Sequence, residues 1–383
     1  MQSDTKAVHA GFDALSESPK PLTPPLYQSS VFVFDDLQRA GDVTGGLEAG
    51  YSYARIGHPN ADMFSAAVAA LEGAKAGATA ASGMGAILAA LLATRGTGSI
   101  AIAREIYGGS VSLARGFLQP LGVTCHFFDG HDPQAIPDGA GAVLVESCSN
   151  PLGRLTDIAA LASAAHAQGA KLVVDNTFAT PYLVRPLEHG ADLVAHSATK
   201  FLSGHGDVIL GAVVGDEQLV KQAQGALTTF GATPDPFAAW LGLRGLRTFG
   251  VRMERAVTNA AAIARHLAAH PQVLRVHHAS LAGHPDRPLA ERYLGGRGPA
   301  ILAFDLASEA AAAQFVSRLQ WIRYAPSLGD VATILLHPAT TSHRQLSAQE
   351  LAEIGITPGT IRLSVGIEAA EDILAELDHG LAG

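Results

Sequence analysis

Between about Asn60 and Gly215 the chain alternates short, largely apolar runs with longer Ala-rich stretches, and few folds satisfy that pattern. The runs are Ala78–Ala81, Ser99–Ala103, Val123–Phe128, Ala142–Glu146, Lys171–Asp175, Asp192–His196 and Ile209–Val214. The stretches between them include Asp62–Leu71, Met84–Leu92 and Asp157–Ala167, which read as helices. Strand and helix in alternation predict crossover units and a mostly parallel sheet, an α/β fold. The runs do not alternate with polar residues, as befits strands covered on both faces.

The flanks read differently. Residues up to about 55 are rich in Pro and Ser (Pro19, Pro21, Pro24, Pro25) and show no sustained helical period. Such an arm is either disordered or laid across another subunit, and Tyr53 and Arg55 at its end favour the second reading. Pro236–His270 reads as one or two long helices. Beyond it, Ala300–Leu306 and Thr360–Val365 look like strands, with helices at Ala310–Leu319 and Ala369–Gly380, a smaller α+β unit. At about 150 residues per domain, 383 residues suit an arm (1–55), a large unit (56–245) and a C-terminal unit (246–383).

Composition narrows the function classes. The formal net charge is −9 and no basic stripe is present, which argues against a nucleic-acid partner. Two cysteines, Cys125 and Cys148, make no disulfide framework and fit a reduced, cytoplasmic setting. The start, MQSDTKAVHAGFD, lacks the charged and apolar regions of a signal peptide. The longest apolar run, Ile87–Thr94, falls well short of the roughly 20 residues a membrane span needs. No metal site is expected: His266 and His270 stand four apart without a third ligand, and His277-His278 has no partner motif. Cys148 reads as a small packing residue.

Chemistry concentrates in VVDNTFATPYLVRPLEHGADLVAHSATKFLSGHG, from Val173 to Gly206. One apolar strand ends in Asp175; another ends at His196 and leads into Ser197, Thr199 and Lys200. Ligands of parallel sheets collect at the carboxyl ends of strands, so a carboxylate and a lysine at two such ends can face one ligand. Pyridoxal phosphate (PLP) needs that pair: a lysine for the Schiff base and a carboxylate beside the pyridine nitrogen. Ser197 and Thr199 supply hydroxyls suited to its phosphate. Upstream, Ser82-Gly83-Met84-Gly85 opens an apolar helix whose first N–H groups suit the same phosphate. Tyr107, after the run Ser99–Ala103, could stack on the ring.

Together these residues resemble the Cys/Met-metabolism, or trans-sulfuration, family of PLP enzymes, over nearly the whole chain from PPLYQSS to RLSVGIE. The resemblance implies the PLP-dependent aspartate-aminotransferase-like fold (fold type I), with Lys200 as the Schiff-base lysine and Asp175 on the ring nitrogen. It implies Tyr107 stacked on the ring and acting on protons, Gly83, Met84, Ser197 and Thr199 around the phosphate, and Asn150 near the phenolic oxygen. Arg362 would clamp the substrate carboxylate beside Ser327. Tyr53 and Arg55 would reach the phosphate of a neighbouring subunit in a homotetramer built as a dimer of dimers. The implied reaction is γ-replacement or γ-elimination on sulfur amino acids or homoserine esters. Methionine γ-lyases of the family usually carry Cys where Gly109 stands, and cystathionine-handling members usually carry Glu where Ala332 stands. SLGDVATILLHPATTSHRQLS looks more like the O-acylhomoserine sulfhydrylases and KFLSGHGD more like the γ-lyases. The reading leans to a sulfhydrylase, with a carbon–sulfur γ-lyase or cystathionine γ-synthase as the alternative and a non-catalytic PLP-binding protein as a remote one.

Overall fold

The structure, a computed structural model, describes residues 2–11 and 21–382; Pro19 of the predicted arm lies outside them. The arm contains helices that its sequence hides. Helix α1 (Ser3–His9) lies against the body of the chain, where Lys6 Nζ donates to the Ala70 carbonyl at 2.9 Å. Helix α2 (Leu37–Thr44) starts on Asp36, which accepts from Arg39 N. Neither is long enough to display a sustained period. The arm is tied down where Trp240 Nε1 and Asn60 Nδ2 donate to the Pro24 and Pro25 carbonyls, both at 2.8 Å. Leu22, Val33, Leu37 and Leu47 nonetheless stay 84% to 94% exposed.

Helix α3 (Pro59–Glu72) has Pro59 in its first turn, a His58 cap and Gly73 in the left-handed conformation at its end. Helix α4 (Gly83–Thr94) begins on Ser82, whose Oγ accepts from Gly85 N at 3.1 Å. These helices cover opposite faces of a seven-stranded sheet: β1 (Ala76–Ala80), β2 (Ser99–Ala103), β3 (Cys125–Phe128), β4 (Ala140–Glu146), β5 (Lys171–Asp175), β6 (Leu193–Ser197) and β7 (Gly211–Gly215). The order is β1-β7-β6-β5-β4-β2-β3. Strands β2 to β6 run parallel, and β7 is antiparallel to both its neighbours.

Alternation along the strands decides which residues meet. Leu144, Val173, Ala195 and Val213 pack on the α4 face. Val145, Val174, Val194 and Val214 pack on the α3 face. Every predicted run in this region is a strand, with ends shifted by a residue or two.

The predicted Pro236–His270 segment is two helices, Pro236–Leu246 and Phe249–Ala268. They lead to a five-stranded sheet of β8 (Arg275–His277), β9 (Ile301–Asp305), β10 (Arg323–Tyr324), β11 (Ile334–Leu336) and β12 (Thr360–Ser364), in the order β10-β11-β12-β9-β8. Only β10 and β11 pair in parallel there, so the last unit is α+β as expected. Strands β8, β10 and β11 are too short to show a period. Helix Glu217–Phe230 is also absent from the sequence reading, although Asp216 caps it and Val220, Ala223 and Leu227 recur at helical spacing. His277 and His278 are both buried and hydrogen-bonded: His277 Nε2 meets Asp305 Oδ2 at 2.9 Å and His278 Nε2 the Pro299 carbonyl at 2.9 Å. His266 pairs with Asp378 at 2.6 Å.

The start of α4 touches the end of the sheet because glycine permits it. A Cβ on Gly211 would lie 2.1 Å from the Ser82 carbonyl oxygen, and one on Gly83 would lie 2.6 Å from Ser197 Cβ. Gly211→Ala must push Ser82 away, and overpacking of this kind costs about 1–3 kcal/mol. The thermal unfolding midpoint should fall by several degrees; an unchanged midpoint would show that the contact yields freely.

Candidate active site

Three neighbouring strands end in polar residues on the α4 face. Glu146 closes β4, Asp175 closes β5 and Ser197 closes β6, and Glu146 and Asp175 stand side by side in register. Asp175 is buried, and its Oδ1 accepts from Thr177 N at 3.0 Å and from Thr177 Oγ1 at 2.5 Å. Burial raises the Asp175 pKa above the ordinary carboxylate value, while the Thr177 bonds oppose the rise. Glu146 is pushed well up, first by burial and then by Asp175. Two buried carboxyl groups thus stand at one sheet end, where a protonated pyridine nitrogen would find a counter-charge.

The turn after β6 carries Lys200, whose N donates to the Ser197 carbonyl at 3.1 Å. Its Nζ donates to Ser327 Oγ at 3.0 Å. Burial, helped by the Arg362 charge, lowers the Lys200 pKa to about 8. Lys200 thereby touches the C-terminal sheet, because the Ser327 backbone carbonyl accepts from Arg362 Nη2 at 2.7 Å.

Arg362, on β12, is buried, and its pKa is lowered to about 10 by that burial alone. Nη1 donates to Asn150 Oδ1 at 3.0 Å, whereas Nε is buried without a partner among the described residues. Asn150 is held from several sides: its N donates to Glu146 Oε2 at 3.0 Å, and its carbonyl bonds the His343 ring. Its Nδ2 is left free of partners among the described residues. Burial and Arg362 hold the His343 pKa down at about 4, so this ring is neutral.

The remaining predicted residues assemble around the same strand ends, with two exceptions. Tyr107 precedes helix α5 (Gly108–Leu113); its N donates to Glu146 Oε1 at 2.8 Å, and the residue is 45% exposed. Gly83 and Met84 form the first turn of α4 against Ser197, and Met84 Sδ lies 3.1 Å from where a Cβ on Gly109 would stand. Thr199 faces the cradle less freely than expected: its Oγ1 is engaged with the Leu210 backbone, donating at 3.2 Å and accepting at 3.0 Å. Tyr53 and Arg55 do not join the cluster. Arg55 donates to the Thr228 carbonyl at 2.9 Å and lies over the Tyr53 ring, on the arm.

Sequence reading misses Glu146, Thr177 and His343. The first two carry a signal: Glu146 ends an apolar run as Asp175 does, and Asp-x-Thr is a spacing in which side chain and backbone bond locally. His343 carries none, since only tertiary packing brings its loop to Asn150.

A lysine with a lowered pKa, two buried carboxyl groups, a glycine-tight helix N-terminus and a part-exposed tyrosine are groups that could hold PLP. The chain belongs to the Cys/Met metabolism PLP-dependent enzyme family, whose model matches residues 4–382. It is 39% identical to an L-methionine gamma-lyase of Porphyromonas gingivalis, over 98% of this chain and 96% of that protein. It is 38% identical to an O-succinylhomoserine sulfhydrylase of Pseudomonas aeruginosa, over 99% of this chain and 95% of that one. Among solved structures, cystathionine gamma synthase from Xanthomonas oryzae in complex with cystathionine superposes with a TM-score of 0.92 at 40% identity, covering 100% of this chain and 98% of that one. The chain is a PLP-dependent enzyme of fold type I. No helix among the described residues is long and apolar enough to cross a membrane.

Only a neutral amine attacks an aldehyde. With Lys200 near 8, its charged form dominates below that pH and its neutral form above it. The rate at which cofactor-free protein captures PLP should therefore rise with pH, pass its midpoint near 8 and level off. Lys200→Ala should capture none that borohydride can fix. A capture rate that is flat between about pH 6 and pH 10 would contradict the assignment.

Proposed function

We propose that this enzyme carries out γ-replacement on an O-acylhomoserine, with sulfide or a small thiol as the incoming nucleophile. The observation that carries the amino-acid part is the Ser327 bridge. One residue bonds the Lys200 amine through Oγ and the Arg362 guanidinium through its carbonyl. An α-amino acid presents an amine and a carboxylate one carbon apart, matched to those two groups. The unpartnered Arg362 Nε is ready for the carboxylate.

PLP, when bound, supplies the electron sink for charge developing at the substrate Cα. The chain supplies the rest. Asp175 would hold the ring nitrogen, Gly83, Met84, Ser197 and Thr199 the phosphate, and Asn150 Nδ2 the phenolic oxygen. Lys200 Nζ would take the proton from Cα, give it up, and only then take one from Cβ, a task suited to an amine poised near neutrality. Both carbons regain a proton after sulfur has bonded to Cγ. Tyr107 would lie on the ring and assist proton movement. The acyl group leaves Cγ as a carboxylate, and sulfur bonds to Cγ in its place.

Two positions favour an ester over a thioether substrate. Ala332 is exposed and offers no carboxylate to the distal ammonium of cystathionine. A side chain on Gly109 would have its Cβ 2.4 Å from the Tyr107 ring, so no thiol can stand beside the ring as placed. The second reading is a γ-lyase, which the relatives named L-methionine gamma-lyase support. There the γ-substituent leaves as a thiol and nothing replaces it. In a competition assay with products identified by mass, the O-acylhomoserine plus sulfide should give a higher kcat/KM than cystathionine or methionine. Ala332→Glu should shift the ratio toward cystathionine by a few-fold, the scale of a charge pair at an exposed position. A wild type that prefers methionine or cystathionine would replace the sulfhydrylase reading with the lyase one.

The exposed leucines of the arm, and an Arg55 that bonds the Thr228 carbonyl rather than a residue of the site, support an assembly in which the arm completes a neighbour's phosphate site. A tetramer of paired dimers in the cytoplasm is the form proposed. Mixing inactive Arg55→Ala with inactive Lys200→Ala should then restore activity on subunit exchange, to at most about one site in four. No recovery despite exchange between folded dimers would assign the arm to its own chain's site.

A further inference from the structure

Behind the three strand ends lies a second polar cluster that the reaction does not use. Where Glu146, Asp175 and Ser197 face α4, the adjoining residues Ser147, Asn176 and His196 face α3. Ser147 Oγ donates to Asn176 Oδ1 at 2.7 Å. Asn176 Nδ2 donates to Glu72 Oε1 at 2.8 Å, and His196 Nε2 meets the same oxygen at 2.7 Å. Each strand thus contributes one residue to the ligand side and its neighbour to a network converging on Glu72.

This network is a poor way to stabilise a fold. Glu72 is the last residue of α3, the end of a helix where a negative charge is disfavoured. Its side chain and that of His196 are both 0% exposed. Glu72 Oε2 and His196 Nδ1 are buried without partners among the described residues, which costs free energy that an apolar pair would not. Asn176 also anchors a strained loop: its carbonyl accepts from Thr180 N at 2.9 Å and its Nδ2 donates to the Val184 carbonyl at 2.9 Å. Thr180 in that loop is held at φ 59°, a region unfavourable to a β-branched residue. A costly arrangement retained beneath the site points to register at the site.

We propose that Glu72 is a positioning residue for the cofactor, fixing from behind the sheet the strand ends that carry Glu146, Asp175 and Ser197. The proposal rests on the assignment of Asp175 and Ser197 to PLP. Glu146 extends its reach, because both its oxygens hold backbone N–H groups of the site, those of Tyr107 and Asn150. Arg362 is reached only at second hand, through Glu146 and Asn150, so the network acts first on cofactor placement.

The test reads cofactor loss on dilution and the circular dichroism of the bound cofactor, together with thermal unfolding of the same holoenzymes. Glu72→Leu should release PLP at least about tenfold faster, the scale of losing a supporting contact to a ligated group. Its cofactor dichroism should change, with the unfolding midpoint displaced by no more than the lost cofactor binding accounts for. Glu72→Gln keeps an oxygen for Asn176 and His196 and should restore wild-type release. Ser147→Ala, which removes one hydroxyl, should speed release about threefold to fivefold and serves if the leucine variant fails to fold. Asp175→Ala is the reference and should shed PLP fastest. Wild-type release and dichroism in Ser147→Ala and in any folded Glu72→Leu, with loss in Asp175→Ala, overturn the role of Glu72 alone. Retention in Asp175→Ala as well overturns the cofactor assignment and this proposal with it.

Discussion

A buried guanidinium with no carboxylate partner among the described residues governs this structure. Arg362 is 2% exposed, receives one amide oxygen and one carbonyl oxygen, and has an unpartnered Nε. Removing a charge from water costs several kcal/mol unless a counter-charge meets it. Its neighbours are arranged around that demand. Asn150 gives Arg362 its side-chain oxygen because Glu146 and His343 hold the Asn150 backbone from both sides. Lys200 lies within reach of the same positive field, which, with burial, favours its neutral amine.

The two sheets therefore need each other. The parallel sheet brings Asp175 and Lys200 to its carboxyl ends, but the arginine comes from β12 in the antiparallel sheet. Ser327 connects them directly. A second link lies beneath the Asn150 loop, where Arg154 Nε donates to Asp286 Oδ2 at 2.8 Å and Leu155 N donates to the same oxygen at 3.0 Å. Asp286 is buried, so this anchor is less screened by solvent than a surface pair. A site at such a junction can set the distance between cofactor lysine and substrate clamp through packing alone.

Much of this was legible in the sequence, for physical reasons. Strands β4, β5 and β6 read clearly because both faces are covered, so each is an unbroken apolar run. Asp175 and Lys200 stood out together, because a carboxylate and a lysine at two strand ends can face one ligand. Strands β8, β10 and β11, at three residues or fewer, carry no periodicity to read. Helices α1 and α2 hid in a proline-rich arm for the same reason. Within the site, His343 could not be found, because loop 337–347 meets Asn150 only after both sheets are packed. Glu72 looked like an ordinary acid at a helix end, and only the three-dimensional structure shows three strands converging on it. Thr199 was legible as a site residue, but its bond to Leu210 was not.

Measuring substrate and cofactor affinity side by side in Arg362→Ala tests the central claim most directly. The account assigns Arg362 to the substrate carboxylate and Lys200 and Asp175 to PLP. Losing a buried, charged hydrogen-bond partner costs about 2–5 kcal/mol, so KM for the amino-acid substrate should rise by at least about thirtyfold. PLP affinity should stay within about threefold of wild type, the scale of one perturbed neutral hydrogen bond through Asn150. Equal losses in both, or an unchanged KM, would contradict the account.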